Sequence, residues 1–136
     1  MKKVRTYTYL RNDIDVKIPA TFQSLILRDY CEKNNLIFSL PAEEYLIDNC
    51  YIELINLINS MKKNDVLLTC TAKFLPTDKK NIKKISQLMT LKNLSIVCIL
   101  EKITISKKYH FEDILIKNTY KKIVSAIDYD KINSYI

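Results

Sequence analysis

The chain has 136 residues, a formal net charge of +7 and no glycine. Phosphate-binding P-loops, dinucleotide-binding fingerprints and hydrolase nucleophile elbows all need glycine at a tight turn or beside the ligand, so their standard forms are excluded. The length predicts one domain over residues 1–136. The sequence has no long apolar run and no apolar segment after its basic N-terminus, so we expect a cytoplasmic protein without a membrane span.

The first half of the chain alternates between strand and helix patterns. Val4–Leu10 is rich in β-branched and aromatic residues and predicts a strand. Pro19 can start a helix, whose apolar residues recur at helical spacing as far as Asn34. Leu36–Leu40 predicts a short second strand, and Pro41–Asn49 predicts a loop.

The second half continues this alternation. Its predicted elements are, in chain order, a helix capped by Asp48 or Asn49 and ending near Asn64, a strand over Asp65–Thr71, a helix opening at Pro76–Asp78, a strand over Leu94–Leu100, an edge strand at Thr104–Ile105 and a helix over Phe111–Ile127. This order predicts a single three-layer α/β domain with a mainly parallel sheet of four to five strands. The long C-terminal helix has two apolar faces, so we expect it either to form a homodimer or to lie between core layers.

The cysteines do not predict a metal site. They are far apart in the chain, form no C-x-x-C pair and are accompanied by one histidine, whereas zinc sites usually contain close ligand pairs. We expect reduced, mainly buried thiols, and nothing in the sequence implies a cofactor. The four cysteines are Cys31, Cys50, Cys70 and Cys98.

Lysines cluster in the third predicted helix, at Lys79, Lys80, Lys83 and Lys84. Such a basic surface attracts nucleic acid, anionic lipid or phosphorylated compounds, or it is simply a solvated helix face. No aromatic residue is interleaved with these lysines for stacking on bases. Nucleic acid is therefore not the partner that the sequence favours.

Several short motifs resemble the catalytic domain of serine recombinases, the resolvases and invertases. They are Thr8–Arg11 at the end of the first strand, Gln23 early in the first helix, Glu44 in the second loop and Asp65–Leu68 opening the third strand. The resemblance covers most of the chain up to its final helix. It implies a resolvase-like fold with the flavodoxin-like strand order 2-1-3-4, in which the final helix dimerises.

The chemistry of that family is not implied, because its nucleophile is missing. The family's serine follows two residues after the strand-end arginine, and here Asp13 stands two residues after Arg11. An aspartate cannot form the phosphoserine link to DNA. The positions of the family's acid–arginine pair and of two further arginines hold Lys73, Phe74, Thr77 and Tyr51. We therefore expect no recombinase activity.

A second resemblance is to the sporadic carbohydrate cluster proteins, a small uncharacterised bacterial family. It rests on Pro19–Cys31, on Leu40–Tyr45 and on Asn49–Tyr51 before an apolar helix. The chain departs from the family near Asp48, where relatives usually carry Pro-Gly. Because genes of this family lie in surface-polysaccharide clusters, the resemblance implies a role in lipopolysaccharide or capsule biosynthesis.

A candidate site follows from the implied strand order. In open parallel sheets, ligands bind beyond the carboxyl ends of the strands where the order reverses, which here is between the first and third strands. The candidate catalytic residues are Arg11, Glu44 and Cys50, and the candidate substrate-binding residues are Asn12, Gln23, Arg28, Tyr45 and Lys73. Arginine and lysine suit a phosphate, the glutamate and glutamine suit hydroxyls, and a cysteine at a helix start is the candidate nucleophile. This set predicts a phosphorylated or nucleotide-linked sugar as ligand.

Each of these residues also has a structural alternative. Arg11 could pair with Asp13 or Asp15 at the surface, Gln23 could cap or bridge the first loop, and Cys50 could be buried. Arg28 and Lys73 could be solvated, and Glu44 and Tyr45 could fix a loop. Three functions stay open: a carbohydrate-biosynthesis protein, enzymatic or not; a non-catalytic dimeric assembly or regulatory protein; and a DNA-binding remnant of a recombinase.

Overall fold

The computed structural model describes residues 2–11, 13–14 and 16–106. The helices in this part of the chain are α1 (Ala20–Lys33), α2 (Ile52–Ser60) and α3 (Lys79–Lys92). The strands are β1 (Lys2–Lys3), β2 (Arg5–Thr8), β3 (Leu36–Ile37), β4 (Ala42–Glu43), β5 (Val66–Thr69), β6 (Ser95–Cys98) and β7 (Ile103–Ile105). Asn12 and the predicted helix over Phe111–Ile127 lie outside the described residues, so the homodimer expected through that helix stays a prediction.

The main sheet has the order β4-β2-β5-β6-β7. The first four of these strands are mutually parallel, and β7 is an antiparallel edge strand. The predicted mainly parallel sheet and its order 2-1-3-4 are confirmed. Across the sheet, the chain moves in one direction from β2 to β4 and in the other direction from β4 to β5 and from β5 to β6. Right-handed crossovers therefore place α1 on one face and α2 and α3 on the other. The packing of α2 against α3 agrees with these three layers.

The second predicted strand, Leu36–Leu40, is wrong in its bounds. The chain forms two short strands instead, with β3 paired to β1 and β4 paired to β2, and β4 lies inside the predicted loop Pro41–Asn49. Pro41 has no N–H to donate to a ladder. Next to it, the Ser39 hydroxyl donates to the Val4 carbonyl (2.5 Å) and the Ser39 carbonyl accepts from the Thr6 hydroxyl (2.9 Å). These side-chain bonds replace ladder bonds where the pairing passes from β1 to β2.

The core lies along β5, as its apolar sequence predicted. Leu67 and Leu68 are fully buried, and so is Ile96 on the neighbouring β6. All four cysteines are free and buried, which confirms the expectation for them. Among the described residues, no helix is long and apolar enough to cross a membrane, and the cytoplasmic location stays a prediction.

Asparagine takes the place of glycine at the left-handed turns of this chain. Positive φ angles occur at Asn35 (53°), Asn49 (58°), Asn64 (68°), Asn93 (53°) and Lys102 (58°) among the described residues. Asparagine visits this region at lower cost than most residues with a Cβ atom. Asn93 is the C-cap of α3, a position where glycine is usual. Lys102 is the one residue in this set that is not asparagine, and its side chain is too long to stabilise the left-handed backbone by a local hydrogen bond.

We expect Lys102→Gly to raise the free energy of unfolding by up to about 1 kcal/mol, because glycine removes the steric conflict that a positive φ imposes on lysine. Lys84→Gly is the matched control, since the same change inside exposed α3 should lower that free energy by about 1 kcal/mol. Urea denaturation measures both values. Destabilisation of equal size by the two variants would contradict the left-handed turn at Lys102.

Candidate functional site

Polar side chains converge where β2, β4 and β5 end. Arg11 follows β2, Glu44 follows β4, and Lys73 lies in a 3-10 turn (Ala72–Phe74) after β5. All three are buried, with 3% of Arg11, 3% of Glu44 and 5% of Lys73 exposed. The predicted crevice therefore contains these residues, and their side chains are largely buried within it.

The Arg11 guanidinium is engaged by protein groups. Its Nη1 donates to the carbonyls of Ile47 (2.7 Å) and Cys50 (2.6 Å). Its Nη2 donates to the Tyr9 hydroxyl and lies 3.4 Å from the Asp13 carboxylate. Within the described residues, Nε alone among its nitrogens has no partner. Arg11 therefore holds the loop before α2 against the end of β2. It does pair with Asp13, but the alternative of a pair at the surface is wrong, because Arg11 is buried.

Aromatic rings enclose this guanidinium. Its central carbon lies 4.3 Å from the Tyr9 ring centroid and 4.6 Å from that of Tyr51, a cation–π arrangement. Burial raises the pKa of Tyr9, so its hydroxyl stays a neutral donor. Both tyrosines lie within the motifs quoted for the two resemblances, but the sequence assigned neither of them a role in the site. The signal was the period of two, which places Tyr7, Tyr9 and Arg11 on one face of the strand and its continuation.

Asp13, at the position of the recombinase serine, is committed to the same network. Burial by itself raises the pKa of Asp13, but three contacts together lower it below its usual range. These are hydrogen bonds from the Asn49 N–H (3.0 Å) and the Tyr9 hydroxyl (2.8 Å), and the charge of Arg11. The carboxylate is therefore ionised and serves as an acceptor.

Glu44 caps α2. Its Oε1 accepts from the Tyr7 hydroxyl (2.8 Å) and the Leu54 N–H (3.2 Å). Its Oε2 accepts from the N–H groups of Tyr45 (3.2 Å) and Glu53 (3.0 Å). The first N–H groups of a helix have no partner within it, and a carboxylate there also meets the positive end of the helix dipole. Glu44 thus fixes the loop and the helix start.

The predicted start and end of the second helix are both wrong. Neither Asp48 nor Asn49 caps it, because the helix begins at Ile52 with Tyr51 in the N-cap position. It ends at Ser60 rather than near Asn64. A glutamate eight residues upstream supplies the cap from another part of the fold, which local sequence patterns do not reveal.

Gln23 joins the end of β2 to the start of α1. It is fully buried, and its Oε1 accepts from the Tyr9 N–H (3.0 Å). Its Nε2 donates to the carbonyls of Tyr9 and Ile18, each at 2.7 Å. Every polar group of the amide is thereby paired with backbone, which is the bridging alternative that the sequence left open.

Three other candidates differ in exposure. Cys50 is 8% exposed, and its Sγ lies 3.9 Å from Glu44 Oε2, an environment that does not expose a thiolate. Arg28 is exposed and its guanidinium carbon lies 4.4 Å from the Phe38 ring centroid. Tyr45 is half exposed.

Glu101 belongs to the site although no sequence motif singled it out. It follows β6 and accepts from the Thr71 hydroxyl (2.5 Å) and the Ala72 N–H (3.0 Å). Burial raises its pKa above the usual value, although these hydrogen bonds and the charge of Lys73 lower it. Its sequence signal was its place directly after a buried strand, Leu94–Leu100.

A small cavity of about 220 Å³ lies beside the segment that leads from β2 to α1. Its lining residues are Tyr9, Leu10, Arg11, Val16, Lys17, Ile18 and Pro19. Small-molecule sites usually measure about 300–1,000 Å³, so this cavity is small for a nucleotide-linked sugar. In the part of the chain that the structure describes, no three His, Cys, Asp or Glu side chains are grouped to hold a metal ion.

Comparisons with known proteins identify the class of fold. No protein-family model matches the sequence, and no curated protein matches it significantly. The N-terminal catalytic domain of TP901-1 integrase has a similar structure, with a TM-score of 0.61, 19% identity, and coverage of 96% of each chain. A resolvase family site-specific recombinase from Streptococcus pneumoniae gives a TM-score of 0.52 at 11% identity, covering 96% of this chain and 89% of that one.

This chain therefore has the fold of a serine recombinase catalytic domain. The fold implied by the first sequence resemblance is confirmed. The comparisons give no support to the sporadic carbohydrate cluster family.

We expect Glu44→Gln to lower the free energy of unfolding by about 1–3 kcal/mol, because an amide NH₂ cannot accept the buried hydroxyl and N–H bonds. The matched control is Glu43→Gln, the same change at the exposed neighbour, with little expected effect. Chemical denaturation of both variants tests the capping role. Equal stability of Glu44→Gln and the parent chain would contradict it.

Glu101 makes stability depend on pH in a defined direction. Because its folded-state pKa is raised above 4.5, the folded state binds more protons than the unfolded state between these two values. Stability contributed by Glu101 is therefore lost as pH rises through that window. We expect Glu101→Gln to gain stability relative to the parent chain when both are moved from about pH 4 to about pH 7. Glu32→Gln, at an exposed position, is the control, and a shift of opposite sign would contradict the burial effect.

Proposed function

We propose that this protein is a non-catalytic DNA-binding protein built on the recombinase catalytic-domain fold. The observation that carries the proposal is that the Nη atoms of Arg11 already bind acceptors and a carboxylate within the protein. A phosphoryl-transfer site needs cations that can approach the phosphate. The arginine in this position supports the loop before α2 instead.

The missing nucleophile supports the same conclusion. The resemblance to serine recombinases assigns Asp13 to the position of the serine, and this carboxylate accepts from Tyr9 and Asn49. A carboxylate held in this way has no hydroxyl with which to form a phosphoester. The fold is thus retained while the groups needed for strand transfer are replaced.

A basic helix face supports DNA as the partner. Four lysines, Lys79, Lys80, Lys83 and Lys84, are exposed in the first two turns of α3. Residues at these spacings lie on one side of a helix, so their charges form a single patch that a phosphate backbone can contact. Both similar structures carry recombinase or integrase in their names, and this favours DNA over other polyanions. DNA is therefore the proposed partner, although the sequence alone did not favour nucleic acid.

The alternative is the carbohydrate-biosynthesis function drawn from the second sequence resemblance. Its ligand was placed between β2 and β5, at residues that the fold uses for its own hydrogen bonds. The comparisons give it no support. It stays a hypothesis, as does the non-catalytic assembly protein that would act through the helix at residues 111–127.

We expect the purified chain to bind a short DNA duplex at about 50 mM salt and to lose affinity steeply as salt rises, by about 0.9 log units per phosphate contact. Lys83→Gln combined with Lys84→Gln should weaken binding and reduce the slope by about 1.8 if both lysines contact phosphate. The matched control is the exposed pair Lys17→Gln and Lys63→Gln, which removes the same charge elsewhere. Fluorescence anisotropy over a salt series measures both quantities.

Three results would contradict the proposal. Absence of binding at low salt would end it. Equal loss in the two double variants would mean that net charge alone is responsible. Isolation of a covalent protein–DNA adduct would show that the chain can cut and join DNA strands.

A further inference from the structure

A larger polar cavity lies at the opposite end of the same sheet. Its volume is about 540 Å³, within the range of about 300–1,000 Å³ that small-molecule sites usually have. Its lining residues are Lys3, Arg5, Ser39, Leu40, Ser60, Lys62 and Asp65. We propose that this cavity binds a small hydroxylated molecule that carries a phosphate or diphosphate group.

The topology explains why these residues meet. Arg5 begins β2 and is paired with Leu67 of the parallel strand β5, so the segment entering β5, with Asp65, lies at the same amino edge. Lys3 lies in β1 just before β2, and Lys62 lies just after α2. Parallel strands bring their amino ends to one edge, and that edge collects cations from three separate segments.

The charges of the cavity favour an anion. The lining residues include three cationic side chains and one carboxylate. Within the described part of the chain, the side chains of Lys3 and Arg5 make no hydrogen bond or ion pair. The carboxylate of Asp65 already accepts from the Lys62 N–H (2.8 Å). Arginine's planar fork matches two phosphate oxygens, and lysine adds a point charge.

The remaining lining groups favour hydroxyls beside the phosphate. Ser39 donates its hydroxyl to the Val4 carbonyl (2.5 Å), and Ser60 donates to the Leu57 carbonyl (2.7 Å). With their protons used, both oxygens still have lone pairs that accept from a donor on a ligand. A phosphorylated sugar or a nucleotide supplies both the anion and such donors.

This cavity differs from the predicted crevice at the carboxyl edge. There, the Nη groups of Arg11 are taken by internal acceptors, whereas the Arg5 guanidinium at the amino edge lacks protein partners among the described residues. The inference does not rest on the DNA-binding proposal, because the exposed lysines of α3 are absent from the lining. Either proposal can fail while the other holds.

Isothermal titration with ribose 5-phosphate and with ADP, at about 50 mM salt, tests the inference directly. Ribose and adenosine serve as comparators that lack the phosphate. We expect the two phosphorylated probes to bind and the comparators not to bind. Arg5→Gln should weaken binding about tenfold or more, because a charge-assisted hydrogen bond is lost. The remote exposed Lys17→Gln should leave it unchanged.

A second variant keeps the test informative if Arg5→Gln fails to fold, since Arg5 lies in a strand. Lys3→Gln combined with Lys62→Gln alters only exposed side chains and should also weaken both probes. Absence of binding by every probe at millimolar concentration would overturn the proposal. Binding that neither variant weakens would also overturn it. The same holds if the chain binds duplex DNA but no small phosphate, and Arg5→Gln abolishes the DNA binding.

Discussion

The carboxyl edge of this fold depends on a buried guanidinium that must be supplied with acceptors. Arg11 is 3% exposed, and a charge removed from water in this way is tolerated only when hydrogen bonds and an opposite charge compensate it. The acceptors are the hydroxyl of Tyr9, which directly follows β2, and the carbonyls of Ile47 and Cys50 in the loop before α2. The loop conformation and the position of the arginine therefore require each other.

Glu44 extends this dependence to the next helix. Its carboxylate binds the Tyr7 hydroxyl on β2 and the first N–H groups of α2, so the strand and the helix share one buried acceptor. Glu44 accepts from N–H groups at the two ends of the loop before α2, and Arg11 donates to two carbonyls between those ends. A ligand that competed for either charge would have to displace these bonds, which makes the carboxyl edge a support for the fold rather than an open site.

The sheet could be predicted from sequence because apolar runs and helical spacing are local and strong. The β5 strand, the three helices and the parallel order were all confirmed, while the second strand was wrong because Pro41 and the hydroxyl of Ser39 redirect its pairing. The absence of glycine could have predicted asparagine at left-handed turns, and Asn93 ends α3 in this way. Boundaries failed where a distant residue caps or bridges, as Glu44 does for α2.

The structure gives three of the predicted site residues internal roles, and whether they form a functional site stays a prediction. Resemblance drew attention to Arg11, Gln23 and Glu44, and all three have their polar side chains buried among internal partners. Residue type could not tell a ligand contact from an internal one, because a guanidinium or an amide offers the same donors to either. What distinguishes them is whether the fold already satisfies those donors. Arg5 shows the opposite case: no motif marked it, yet it lines the larger cavity with its guanidinium unpaired among the described residues.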